Sequence, residues 1–80
     1  MEISTTLSSA PVSDERLAEI LANPGFGLHF ADHMFTVEWT PDEGWHAARI
    51  EPYGPLVLDP ATAVLHYAQE TFEGMKAYRH

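Results

Sequence analysis

An α+β fold follows from three features of the sequence. A capped helical segment stands near the start, an alternating hairpin fills the middle, and a second helical stripe follows a proline-broken loop. With 80 residues the chain makes one small domain at most, near the size where a single core only just suffices.

Residues 1–12 are small, polar and rich in serine and threonine without periodicity, and are expected to be a flexible tail. The folded part is assigned to residues 13–80. Ser13 suits an N-cap, Asp14 and Glu15 place negative charge on the first helical turn, and Leu17, Ile20 and Leu21 form a narrow apolar stripe. Val12 is placed to staple back onto Leu17. Asn23-Pro24-Gly25 ends that helix. From His33 to Trp39 the period changes to two, with Phe35, Val37 and Trp39 on the face expected to be buried. Thr40-Pro41-Asp42-Glu43-Gly44 reads as a turn, and a second strand from Trp45 to Glu51 sets Trp45 across from Trp39. Pro52-Tyr53-Gly54-Pro55 breaks regular structure, and Leu56-Val57-Leu58 is extended. Asp59-Pro60 reads as a cap with proline at the first helical position, so helix is expected over part or all of 60–72. Gly74 ends or bends it. Met75 to Tyr78 alternates as a strand, and Tyr78-Arg79-His80 stops inside that pattern, which leads us to expect the front end of something larger.

Charge and composition narrow the function. Four basic residues against twelve acidic ones give a formal charge of −8, opposed to binding nucleic acid or an anionic membrane. With no cysteine, disulfides and thiolate metal sites are excluded. No apolar run reaches the roughly 20 residues needed to span a bilayer, and the first ten residues lack a signal-peptide pattern. A cytoplasmic setting is the expectation. His29 and His33 are four apart, as on one helical face, but glycines and a strand pattern surround them, no HExxH-type acid follows His29, and His46 lies across a turn, so structural roles are expected for them. Gly25-Phe26-Gly27 follows a helix rather than a strand, unlike a nucleotide loop. No serine has a nucleophile's setting. Lys76, the single lysine, would need desolvation or a cationic neighbour to form a Schiff base.

Several short motifs occur together in a fixed order: Phe26-Gly27, Asp32-His33-Met34, Gly44-Trp45, Ala48-Arg49-Ile50, Pro52-Tyr53-Gly54-Pro55, Leu58-Asp59-Pro60, Leu65-His66-Tyr67 and Phe72-Glu73-Gly74-Met75-Lys76-Ala77-Tyr78. In combination they resemble the N-terminal portion of the longer branched-chain amino-acid aminotransferases, class IV enzymes dependent on pyridoxal phosphate. The resemblance runs from about Pro24 to His80.

That resemblance implies the beginning of the small N-terminal α+β domain of a fold-type IV enzyme, built of antiparallel strands and short helices. It implies transfer of an amino group between leucine, isoleucine or valine and 2-oxoglutarate, in a subunit that forms homodimers. Phe26, Tyr67 and Phe72 match positions lining the substrate side-chain pocket, where burying a branched aliphatic group is worth roughly 1.5–3 kcal/mol. Tyr67 would add a polar handle. Gly74 would allow close backbone approach, and Lys76 matches a basic position that helps receive the distal carboxylate of glutamate. Each has a plainer reading beside it: core for Phe72, helix anchoring for Tyr67, a solvated strand lysine for Lys76. The Schiff-base lysine, the phosphate-holding arginine and the glutamate facing the pyridine nitrogen have no counterpart in this sequence, so neither catalytic nor cofactor-binding residues are assigned and the chain alone is expected to be inactive. Two further readings are an acidic interaction module and a remnant without function.

Overall fold

In the computed structural model, which describes residues 1–78, five elements run in the order β1 (Ser4–Thr5), α1 (Asp14–Ala22), β2 (His33–Thr40), β3 (Gly44–Pro52) and α2 (Ala63–Tyr67). The strands form one sheet in the order β1-β3-β2. β2 and β3 are antiparallel, with Trp39 opposite Trp45, as their alternation requires. β1 runs parallel to β3, Ser4 beside Arg49 and Thr5 beside Ile50, so the sheet is mixed rather than purely antiparallel.

The hairpin is not regular throughout. Thr36 pairs with Arg49 but Glu38 pairs with His46, leaving Ala47 and Ala48 opposite Val37. The extra residue is taken up at Ala47, whose φ of 54° lies in the left-handed region. Gly44 also has positive φ (67°) where the turn re-enters β3.

Part of the N-terminal segment is hydrogen-bonded to the sheet. Besides the β1 ladder, Thr6 N–H donates to Ile50 O (2.9 Å) and Ser8 N–H donates to His33 Nε2 (2.8 Å). Val12 N–H is shared between both carboxylate oxygens of Asp32 at 3.2 Å. The adjacent Asp32 and His33 thus clasp the segment from two sides, and backbone groups that lacked any local partner find one across the chain.

α1 begins where its cap dictates. Ser13 Oγ accepts from Arg16 N–H at 3.1 Å, Leu17 N–H donates to Ser13 O, and Asn23 N–H closes the far end on Ile20 O. α2 is much shorter than the stretch 60–72 allowed. Ala61 N–H and Thr62 N–H bond back to Asp59, and the Thr62 hydroxyl donates to Asp59 O at 2.6 Å. That hydroxyl makes no capping bond to the helix, which starts only at Ala63. Ala68, left-handed at φ 49°, ends it after five residues. Met75 to Tyr78 form no strand, since no neighbouring backbone pairs with them. The continuation of that pattern through Arg79 and His80 lies outside the described residues.

Burial is sparse. Ala48 alone among the described residues is buried, at 3% exposure. Phe35 and Trp39, expected on a buried face, stay more than half exposed because α1 packs on no strand. The radius of gyration is 16.0 Å, against roughly 12 Å for a compact domain of this length. The sheet is held by its ladder and not by a core.

Candidate functional site

The loop before β2 is shaped by glycine. Gly25 (φ 66°) and Gly27 (φ 68°) are both left-handed, and a Cβ on Gly25 would lie 2.6 Å from Leu28 Cδ1. Between these two bends Phe26 is thrown outward, 98% exposed. Tyr67 ends α2 at 84% exposure, and Phe72 follows in the irregular stretch at 99%. A Cβ on Gly74 would meet open space. Lys76 is exposed beyond it.

The structure does not bring these five residues into a shared cavity. None of them lines either of two concavities found elsewhere. The first, about 650 Å³, lies between α1 and the loop before β2 and is walled by Val12, Leu17, Ile20, Leu28 and Phe30, with Tyr53 closing it. Phe30 stacks on Tyr53 with ring centroids 5.6 Å apart and planes 6° from parallel. Val12 and Leu17 both line this hollow. The second, about 490 Å³, runs along the polar face of the hairpin under Pro55 to Leu58.

That polar face is a charge cluster. Arg49 Nε donates to Glu51 at 2.6 Å and its guanidinium reaches Glu38 at 3.9 Å. His46 Nε2 lies 3.4 Å from Glu38 and 3.6 Å from Glu43, while its Nδ1 meets Gly44 O at 2.9 Å. Thr36 Oγ1, sheltered beneath this cluster, has no hydrogen-bond partner among the described residues. Strand alternation already puts Arg49 and Glu51 on one face, so that pair was accessible to sequence reasoning. The Phe30–Tyr53 stack, crossing a loop, left no periodic signal.

The histidines have separate occupations. His33 accepts from Ser8, His46 sits among Glu38, Glu43 and Gly44, and His29 borders the first concavity. Among the described residues no three His, Asp or Glu side chains are grouped as a metal would need. No helix among them is long and apolar enough to cross a membrane.

Pyridoxal phosphate needs an amine for its aldehyde and a cradle for its dianion. The residues present do not fit it. The one lysine stands exposed outside both hollows, and the arginine that does line one is held by Glu51 and faces Glu38, so a phosphate there would meet two carboxylates.

No family model matches the chain. Individual proteins do. A Streptomyces coelicolor protein named "Probable branched-chain-amino-acid aminotransferase" is 65% identical over 72 residues, covering 90% of this chain and 20% of that protein. The "Branched-chain-amino-acid aminotransferase" of Mycolicibacterium smegmatis is 52% identical over 79 residues, 99% of this chain and 22% of its own length. A Saccharomyces cerevisiae protein named "Branched-chain-amino-acid aminotransferase, mitochondrial" is 44% identical over 88 residues, covering 96% of this chain and 22% of that protein. The chain therefore spans about a fifth of the length of the relatives it matches. Over nearly all of its own length, its sequence is homologous to the branched-chain-amino-acid aminotransferases, the family its motifs resemble.

Proposed function

We propose that this chain supplies the opening part of a branched-chain-amino-acid aminotransferase, in the small α+β domain of a fold-type IV subunit. The single observation that carries the reading is 52% identity across 79 of its residues to a protein bearing that name. The reaction is transfer of an amino group between leucine, isoleucine or valine and 2-oxoglutarate. Pyridoxal phosphate is the coenzyme of the whole protein, which works as a cytoplasmic homodimer. Its chemistry is an electron sink for the substrate carbanion.

The chain's own contribution is substrate recognition. Phe26, held out by two left-handed glycines, offers an apolar wall whose backbone is already set. Phe72 offers a second wall and Tyr67 an aromatic surface with one polar tip. Lys76 offers the cation for the distal carboxylate of glutamate, and Gly74, with no side chain to displace, the close approach. These roles need a facing surface. By itself the 80-residue chain has no transaminase activity, because the residues present hold no coenzyme.

A chimera tests the reading. The corresponding segment of the Mycolicibacterium smegmatis relative is replaced by this chain, and leucine-dependent glutamate formation from 2-oxoglutarate is followed. An active chimera is expected, with Phe26→Ala raising KM for leucine and Lys76→Ala raising KM for 2-oxoglutarate. A folded dimeric chimera without turnover overturns the assignment. So does turnover by the isolated chain above a boiled control.

A further inference from the structure

The segment before α1 is fastened to the rest of the chain at three points. β1 pairs with β3 through Ser4 and Thr5, and Thr6 N–H donates to Ile50 O at 2.9 Å. Farther along, Ser8 N–H donates to His33 Nε2 at 2.8 Å, and Val12 N–H is shared by the carboxylate oxygens of Asp32. Between Thr6 and Val12 the Ser8 bond alone reaches the rest of the chain among the described residues, since Ala10 N–H turns back to Ser8 Oγ. β1 is two residues long and exposed at both, so no buried side chain holds it on β3. Its docking depends on the fastening beside it.

That middle fastening carries a condition the ladder lacks. A backbone N–H can only donate, so His33 Nε2 must offer a lone pair, which leaves the ring proton on Nδ1. An imidazolium has no lone pair to offer: Nε2–H would confront Ser8 N–H, donor against donor. Histidine is the side chain that ordinarily changes charge between about pH 5 and 8. The backbone bonds of the β1 ladder contain no titrating group. Nor do neighbouring charges compensate His33. Glu38 on β2 and Glu43 in the turn lie beside His46, Arg49 on β3 is held by Glu51 and faces Glu38, and Arg16 on α1 pairs with Glu19. Asp32, next along the chain, is engaged by Val12. Neither these acids nor Glu2 ahead of β1 pairs with His33 among the described residues.

We propose that His33 is a pH-operated catch for the N-terminal strap: neutral, it holds Ser8 and keeps β1 on β3; protonated, it lets the strap go and bares that edge of β3. Linkage fixes the direction. The fastened form excludes the extra proton and the released form accepts it, so fastening gains as pH rises and is lost as pH falls. Losing one such bond lowers amide protection roughly fivefold or more. Only the strap, β2 and β3 take part, so the device is independent of the aminotransferase reading.

Amide hydrogen exchange of the 80-residue chain, followed by NMR from about pH 8 to about pH 5 and normalised to the intrinsic rate at each pH, tests it. Protection of Ser8 and Thr6 should fall by that factor on acidification, while the amides that join β2 to β3 keep theirs. The Ser8 amide resonance gives a second readout and should titrate with the same midpoint as the His33 ring. His33→Gln should abolish the step, whereas His46→Gln and His29→Gln should retain it. Four outcomes overturn the proposal: Ser8 protection that is flat with pH, a Ser8 midpoint that follows another histidine, a step that persists in His33→Gln, or Thr6 protection that holds while that of Ser8 is lost. A fall shared equally by the β2–β3 amides does so too, since the whole sheet and not the strap would then be responding.

Discussion

Replacing Ala47 by glycine should stabilise the hairpin. Ala47 holds the left-handed conformation that absorbs the extra residue of β3, at φ 54°. An L-residue with a Cβ pays about 1–2 kcal/mol in that region, which glycine does not. Glycine's freer unfolded chain takes back about 0.4–1 kcal/mol. The difference leaves about 1 kcal/mol in favour of Ala47→Gly. For a chain of this size that corresponds to a rise of about 4–8 °C in Tm. Trp39 and Trp45 pair across the same hairpin two residues from the irregularity, so their fluorescence on heating or in urea is a direct assay. Ala47→Val is the counterpart: a β-branched residue resists positive φ, and the midpoint should fall. A glycine variant with a lower midpoint, or a valine variant indistinguishable from the parent, would refute the claim that the irregularity stores strain at this position.

Asp32→Ala and His33→Ala should each loosen the N-terminal segment at a cost of about 1 kcal/mol per lost bond, seen as faster hydrogen exchange at Val12 and Ser8 respectively with the β2–β3 ladder unchanged. Equal protection in variant and parent would show that the β1 ladder alone holds the segment. Thr36→Val removes a sheltered hydroxyl without a partner while keeping the side-chain shape, so stability should hold or rise by about 1 kcal/mol in urea unfolding. A clear loss would reveal a hydrogen bond at Thr36 Oγ1.

The parts of the fold legible in the sequence are those fixed by neighbours. Ser13 announces α1 because its cap bond reaches only to Arg16. Trp39 and Trp45 announce the hairpin because period two and a short turn leave few other registers. The irregularity at Ala47 left no sign, since alanine carries no preference for the conformation it adopts there. β1 left none either: two residues paired with a strand far along the chain have no local pattern to show. Helix within 60–72 was legible, but not its extent, because the apolar spacing says nothing of Ala68 turning left-handed, nor of the Thr62 hydroxyl being spent on Asp59.

At the candidate site, Phe26 was matched to a pocket position through a family motif, and the glycines on either side of it have positive φ in the structure. Tyr67, Phe72, Gly74 and Lys76 were assigned through family motifs. Geometry adds little to them, because a pocket wall is defined by the surface opposite and these side chains face solvent in the described residues.

The parallel pairing of Thr5 with Ile50 also sets a schedule for biosynthesis. During synthesis β1 cannot find its place until a segment 45 positions later has emerged. At roughly 5–20 residues per second, that is a wait on the order of 2–9 s. Throughout that interval the Ser4–Thr5 strand has no ladder partner and stays open to peptidases, so a change near it would act on a folding step rather than on a finished surface.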